Sequence, residues 1–482
     1  MIYMNINTHD YENDVRVMTG AFYPGEKIVI EDSSECNLKV YVHVEGPNIT
    51  GKVISNREEH LLEAVCESKL QGRIRNLLKR VLYNIFSDIT SKKLPWGTLT
   101  GIRPVKIPLA LVEQGMGDEE ILNHFKSEYL VNDVKARLSL SVARNEHRLL
   151  SDIDYKNGYS LYIGIPFCPT TCLYCSFTSY PISMWKNGVD SYLDALMKEL
   201  SYLSGLLKYK KPDSIYIGGG TPTTLLPHQL ERLFDFIYGN FDVSHAREFT
   251  VEAGRPDSID EDKLKVIKKY GIDRISVNPQ TMNQKTLDFI GRRHTVEDVR
   301  KAFKLARECG FGNINMDLIV GLPQETKDDV KYTLEEVSKL DPDSLTVHSL
   351  AIKRAAALNM FKERYADCHI ENTDEIMDMT YDFSLSHGYE PYYLYRQKNM
   401  AGSLENVGYA KKDKAGIYNI LIMEEKQSIF AAGANSQSKI VFHDENRVER
   451  IENVKDVTNY IERVDEMIER KRAFFNGADS IR

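Results

Sequence analysis

The sequence predicts an α/β protein whose central parallel sheet is flanked by helices, with an α+β segment before it and a further α/β segment after it. Three observations carry this. Between residues 161 and 350 six short apolar runs alternate with stretches of helical period. The polar residues that stand out in this zone fall at or just beyond the C-terminal ends of those runs. The alternation is absent before about Leu150 and after about Arg354. Strand–helix alternation builds a parallel sheet because each right-handed crossover returns the chain in the same direction. A chain of 482 residues accommodates two or three domains. The patterns place them at 1–150, 151–353 and 354–482.

The first zone opens with strand-like runs at Val15–Tyr23, Lys27–Glu31 and Leu38–Gly46, broken by Pro24-Gly25 and Ser33-Ser34. A long helical pattern follows from Glu58 to about Ser87, with Leu61, Leu62, Val65, Cys66, Leu70, Ile74, Leu77, Leu78 and Val81 at helical spacing. Its basic residues Arg73, Arg75, Lys79 and Arg80 read as a solvated face. The loop PWGTLTGIRP then leads into a second helical stretch reaching about Leu150.

In the middle zone the strands are expected at Leu161–Pro166, Ser214–Gly218, Glu248–Glu252, Arg274–Asn278, Asn313–Ile319 and Ser344–Leu350. The intervening helices are expected at Val189–Leu206, Pro227–Phe241, Asp260–Tyr270, Val296–Gly310 and Lys327–Leu340. Periodicity alone permits a partial barrel or a doubly wound open sheet. In a barrel the loops after the strands converge on one mouth, where active sites lie. Beyond Arg354 a helical stretch covers Asp374–His387, a strand-like run Gly416–Glu424, and a final amphipathic helix about Val454–Lys471. This last zone is expected to cover the mouth and complete a substrate pocket.

The composition, 42% hydrophobic and 27% charged, is that of a soluble globular protein. A net charge of −8 supplies no basic field for nucleic acid. No apolar run approaches the ~20 residues of a membrane helix, and the acidic N-terminus is not a signal peptide. A cytoplasmic location is expected.

The chemistry is concentrated in Leu161–Tyr180, LYIGIPFCPTTCLYCSFTSY, where Cys168, Cys172 and Cys175 are separated by three and two intervening residues. Three thiolates at this spacing can hold three irons of a [4Fe–4S] cube and leave the fourth iron without a protein ligand. An electron-transfer cluster normally has four cysteines, whereas an open iron can bind and reduce a small molecule. A structural zinc site wants a fourth ligand, and the nearest downstream histidine is His228. Cys36, Cys66, Cys309 and Cys368 are scattered and read as small hydrophobes.

Tyr-x-x-x-Pro-Phe-Cys-x-x-x-Cys-x-Tyr-Cys resembles the cluster loop of the radical S-adenosylmethionine (SAM) enzymes, and more narrowly the oxygen-independent coproporphyrinogen III oxidase family. The segments GGGTPT (218–223), TVEA (250–253), SVNPQ (276–280), NMDLIVGLP (315–323) and AGANS (432–436) follow in the family's order. The N-terminal segment with WGTLTGIRP resembles its HemZ branch, the coproporphyrinogen dehydrogenases. The resemblance implies a partial (β/α)6 barrel, a [4Fe–4S] cluster on Cys168, Cys172 and Cys175, and SAM as cofactor. It places Gly219, Gly220 and Thr221 at the methionine amino end of SAM and Arg292 at its carboxylate. Glu252, Gln280 and Asp317 are implied for the ribose side, with Tyr162, Tyr174 and, through its backbone, Ala351 close by. Gly321-Leu322-Pro323 reads as a structural turn.

The implied activity is radical removal of a hydrogen from the propionate β-carbon of coproporphyrinogen III. Loss of CO₂ and one electron then leaves a vinyl group, and two such steps give protoporphyrinogen IX. A low-potential donor such as flavodoxin or ferredoxin is the expected partner. Arg354, Arg396, Lys398, Lys411 and Lys412, around Tyr395 and Tyr409, are candidates for the substrate carboxylates. Two positions depart from the best-known oxidases: Gly164 replaces a histidine and Phe177 a fourth cysteine. The phenylalanine also occurs in the clan's heme chaperones, so heme binding without turnover is the alternative, with His348 as its candidate ligand.

Overall fold

The computed structural model describes residues 1–32, 35–67, 70–175, 177, 179–350, 369–397 and 404–477. Two compact units emerge, one of Met1–Arg144 with Tyr395–Glu405, the other of Asn145–Leu394 with Asn406–Arg482.

The first unit contains a five-stranded sheet in the order β2-β1-β3-β4-β5. Its strands are β1 (Ile2–Ile6), β2 (Ile28–Val29), β3 (Leu38–Glu45), β4 (Asn48–Ser55) and β5 (Glu58–Val65). Helices α1 (Glu12–Phe22) and α2 (Gln71–Thr90) share its core. Two expectations are corrected here. Val15–Tyr23 is helix, because Val15, Met18 and Phe22 recur at helical spacing and are all buried. The helical pattern from Glu58 splits, because Asn56 and Arg57 both take positive φ (51° and 73°) and close a two-residue hairpin between β4 and β5. Leu61 and Val65 are consequently exposed on β5. The basic face of α2 is also not simply solvated: Arg75 and Lys79 reach the buried Asp14 carboxylate at 2.8 and 3.0 Å.

Helices α3 (Lys106–Glu113), α4 (Asp118–Tyr129) and the start of α5 (Asp133–Leu150) follow. In this unit Trp96 of the PWGTLTGIRP loop donates to Glu405 at 2.8 Å, and Lys135 pairs with the same carboxylate at 2.8 Å. Arg396 donates to Leu99 O and lies over the Trp96 ring. Burial pulls its guanidinium down to about 10.

The second unit is built on an eleven-stranded sheet in the order β14-β15-β13-β12-β11-β10-β9-β6-β16-β17-β18. Six of these are the expected strands: β6 (Gly158–Ile165), β9 (Lys211–Gly219), β10 (Glu248–Glu252), β11 (Arg274–Ser276), β12 (Asn313–Val320) and β13 (Ser344–Ser349). Each pairs in parallel with the next. They are linked by α6 (Val189–Leu206), α7 (Pro227–Asn240), α8 (Glu261–Lys269), α9 (Gln284–Phe289), α10 (Val296–Glu308) and α11 (Lys327–Ser338). Between β6 and β9 a short pair, β7 (Phe167–Cys168) and β8 (Tyr180–Pro181), closes the cysteine loop.

The remaining strands are β14 (Glu390–Arg396), β15 (Glu405–Ala410), β16 (Ile429–Ala432), β17 (Gln437–Phe442) and β18 (Arg447–Glu452). β16 adds in parallel to β6, a seventh parallel strand that periodicity did not reveal. The run expected as a strand at Gly416–Glu424 is a helix, Ile417–Glu424. Its residues are apolar nearly throughout, IYNILIME, which blurs the amphipathic period.

The strands of this sheet are polar on one face. Leu161, Ile163, Ile215, Ile217, Val251, Ile275, Ile314 and Val347 are fully buried. Alternate positions instead carry Tyr162, Tyr216, Glu248, Glu252, Arg274, Asn315, Asp317 and His348. A parallel sheet covered on both faces reads apolar throughout, so this alternation marks an inner polar face. Contacts cross that face: Arg274 of β11 donates to Ser344 of β13 at 3.2 Å and to Lys414 O at 2.9 Å. Glu248 accepts from the Tyr418 backbone amide at 3.2 Å. Residues 414–418 thus fill the lumen at the strands' N-terminal ends.

Candidate active site

The site lies at the C-terminal ends of the strands. Cys168 ends β7, Gly219 ends β9 and Glu252 ends β10. The β6 and β9 ends are drawn tightly together: Gly220 N donates to Ile165 O and Thr221 N to Phe167 O, both at 2.7 Å. Gly219 takes φ +105°, and a Cβ at Gly220 would stand 2.5 Å from Phe167 O. Both positions therefore require glycine.

The cysteine loop is tied to the turn after α9. Leu173 N donates to Ile290 O at 3.0 Å, and Thr170 Oγ1 to Gly291 O at 3.2 Å. The three thiols are half-buried. Burial pushes Cys175 up to about 11, with Cys172 and Cys168 raising it further. Cys168 is raised by burial, against the Thr221 hydroxyl, which donates to its sulfur at 3.5 Å. Cys168 and Cys175, whose ionisation burial disfavours, suit a site in which bound iron would offset the thiolate charge. Two buried arginines add positive charge: Arg255 donates to Cys172 Sγ at 3.5 Å, and Arg292 to the Tyr174 hydroxyl at 3.3 Å.

Arg292 Nη2 is fixed by Gly254 O and Asn278 O, both at 2.9 Å. Its Nε is buried without a partner among the described residues, a donor available to a bound carboxylate. His294, close behind, is fully buried 3.8 Å from Asp257. Burial and the arginines Arg292 and Arg255 hold it near 3, so it is neutral.

Below the loop, three tyrosines stack. Tyr216 and Tyr418 have ring centroids 4.5 Å apart, and Tyr162 lies near-parallel to both at 6.3 and 6.2 Å. Tyr216 donates to Glu252 at 2.5 Å. Asp317 accepts from Asn278 and Asn315, both at 2.7 Å, and His348 lies 4.0 Å from it. The expected residues Tyr162, Glu252 and Asp317 therefore share the lumen, while Tyr174 and Arg292 meet at the cysteine loop. Gln280 stands just past β11 at φ +70°, its backbone bonded to Asp317 O and Ile319 N. Ala351, Arg354 and Lys398 lie outside the described residues.

Three further findings bear on the sequence reading. Lys411 and Lys412 follow Ala410, which pairs with Ser344 at the start of β13. They therefore stand at the opposite end of the strands from the cysteines, and Lys411 is paired with Asp341 at 2.5 Å. Tyr409 is buried beside Leu345. Arg255, Tyr216, Tyr418 and Asn278 were not singled out by the sequence. Only the alternation Tyr216-x-Gly218 in SIYIGG could have marked Tyr216 as inward-facing.

Comparison with known proteins agrees with this geometry. The model of the Radical SAM superfamily matches residues 162–337. The chain is 41% identical over 409 residues to the oxygen-independent coproporphyrinogen-III oxidase-like protein HemZ of Bacillus subtilis (strain 168), covering 84% of this chain and 82% of that one. It is 41% identical over 197 residues to heme chaperone HemW of the same organism, covering 40% of this chain and 51%, about half, of HemW. The solved structure of coproporphyrinogen III oxidase (HemN) from Escherichia coli, described as a radical SAM enzyme, superposes with a TM-score of 0.52 at 25% identity. That match covers 67% of this chain and 73% of HemN.

Proposed function

This chain belongs to the oxygen-independent coproporphyrinogen-III oxidase-like family of radical SAM proteins, and we propose that it oxidatively decarboxylates coproporphyrinogen III. Two propionates become vinyl groups and the product is protoporphyrinogen IX. Radical SAM proteins use a [4Fe–4S] cluster and SAM. In this reading Cys168, Cys172 and Cys175 hold three irons. Tyr162, Tyr174, Gly219, Gly220, Thr221, Glu252, Gln280, Arg292, Asp317 and Ala351 surround SAM. When bound, cluster and SAM supply a carbon radical that takes a hydrogen atom from a propionate β-carbon; CO₂ and one further electron then leave the substrate.

Support for this reading comes from two neighbouring carboxylates, Glu252 and Asp317, on the polar inner face of the sheet, with Glu252 ending β10 as Cys168 ends β7. Carboxylates there attract a sulfonium cation. Arg292 presents a rigid, partly unsatisfied guanidinium of the kind that holds a carboxylate. The electron enters from a flavodoxin- or ferredoxin-type donor, and a second acceptor removes the electron released with CO₂.

A heme-chaperone reading has its own support in the HemW match and in Phe177, which stands exposed where a fourth cysteine would lie. Anaerobic incubation of the reconstituted chain with SAM, reductant and coproporphyrinogen III separates the two. Stoichiometric CO₂ and a vinyl-bearing product are expected. Heme binding without CO₂ would replace the decarboxylase with the chaperone.

A further inference from the structure

Each cysteine sulfur meets a hydrogen-bond donor, and the donors differ in charge; the Ser179 side chain also reaches Cys168 and the Tyr174 side chain also reaches Cys172. Cys168 receives the Thr221 hydroxyl at 3.5 Å, Cys175 the backbone amide of Phe177, and Cys172 the guanidinium of Arg255 at 3.5 Å. Arg255 follows Glu252 by three residues and is 4% exposed. Its Nε and Nη2 grip the Asp257 carboxylate at 2.9 and 2.8 Å. Its Nη1 also reaches Thr170 O at 3.3 Å and its Nη2 Thr170 Oγ1 at 3.1 Å. A forked guanidinium held this way is pre-organised and loses little freedom in meeting a third partner. It therefore joins the loop after β10 to both ends of the Thr170–Cys172 stretch.

We propose that Arg255 is a positioning residue that holds the Cys172 sulfur as a cluster ligand by a charged N–H···S hydrogen bond and raises the cluster's reduction potential. This rests on the assignment of the cluster to Cys168, Cys172 and Cys175. Reduction adds one electron, taken from a low-potential flavodoxin- or ferredoxin-type donor, to a group already carrying negative thiolates. A buried positive charge beside one ligand stabilises the reduced form more than the oxidised form. Hydrogen bonds to cluster sulfurs and net local charge are the levers that set such potentials. Asp257 fixes the fork and offsets part of the charge, so the direct N–H···S contact carries the effect.

The test uses the full chain, reconstituted anaerobically as wild type, Arg255→Gln, Arg255→Lys and Cys172→Ala. Iron and sulfide are counted, and the reduced-to-oxidised ratio is read by electron paramagnetic resonance at one poised potential. Where the wild type is half reduced, the Gln variant is expected to show a ratio about tenfold lower, about 59 mV for a one-electron couple. Lys is expected to fall between the two. A loaded Gln variant with the wild-type ratio overturns the inference. If the Gln variant does not load, the Lys ratio decides: below wild type supports the inference and equal to wild type overturns it. A wild type without iron, or a Cys172→Ala chain with full iron, overturns the cluster assignment itself and this inference with it.

Discussion

The Tyr216 hydroxyl donates a 2.5 Å hydrogen bond to Glu252 inside the lumen, with Asp317 as the nearest second carboxylate influence. Burial pushes the Glu252 carboxyl up to about 7; the Tyr216 and Gly219 donors oppose this, and Asp317 adds to it. A cation bound in the lumen favours the ionised form. SAM affinity is therefore expected to fall about tenfold per pH unit below about 7 and to level off above it. Equilibrium dialysis at pH 6, 7 and 8 reads this directly, and Glu252→Gln should abolish the slope.

Tyr216→Phe removes a donor that favours the Glu252 carboxylate. Its SAM-binding midpoint should move to higher pH while the fold is kept. The linked stability has a fixed sign. The unfolded carboxyl ionises near 4.5 and the folded one near 7, so the Glu252 contribution is present at low pH and is lost as pH rises between those values. Denaturant midpoints of wild type and Glu252→Gln should converge below that window and separate through it.

Gly220→Ala drives a Cβ into Phe167 O, Ile165 O and Phe167 N, all backbone atoms. Backbone cannot yield as a flexible side chain does. A destabilisation of about 1–3 kcal/mol is expected, with loss of iron loading because Phe167 precedes Cys168. Chemical denaturation and iron content measure the two effects separately.

Glu199 and Lys471 form a buried ion pair at 2.6 Å, with Tyr460, Asn453 and the Gly433 amide completing the carboxylate's shell. Lys471→Met leaves a buried charge short of its counter-ion and should cost about 3–5 kcal/mol. Adding Glu199→Gln should recover part of that loss in urea unfolding. The network holds Gly433 and Ala434 against β6, where Tyr192 bridges Gly164 O and Ala434 N.

Lys411→Ala and Lys412→Ala are expected to leave decarboxylation within twofold of wild type. Both lysines stand at the N-terminal end of β13, opposite the cysteine loop. A large loss of kcat/KM would place substrate carboxylates at that end and contradict the assigned mouth.

The sheet was legible because its strands are short, buried and separated by amphipathic helices. Glu248–Glu252 and Val189–Leu206 match their observed limits. What escaped had a weak or masked local signal. The run IFAA of β16 is buried throughout and carries no period. Val15–Phe22 and Ile417–Glu424 are rich in β-branched or uniformly apolar residues, which mask a helical stripe. Arg255 reads as an ordinary loop arginine, since its partner Cys172 lies 83 residues earlier. The cysteine spacing and the GGGTPT turn were legible because their chemistry is local. The tyrosine stack, assembled from three distant segments, was not.

The proposed activity turns on hydrogen abstraction at a propionate β-carbon within this lumen. The most direct measurement supplies coproporphyrinogen III deuterated at those carbons and follows the mass of 5′-deoxyadenosine together with CO₂. Deuterium in 5′-deoxyadenosine, formed in step with CO₂, is the predicted result. Unlabelled 5′-deoxyadenosine without CO₂, from a chain shown to carry its iron, would contradict it.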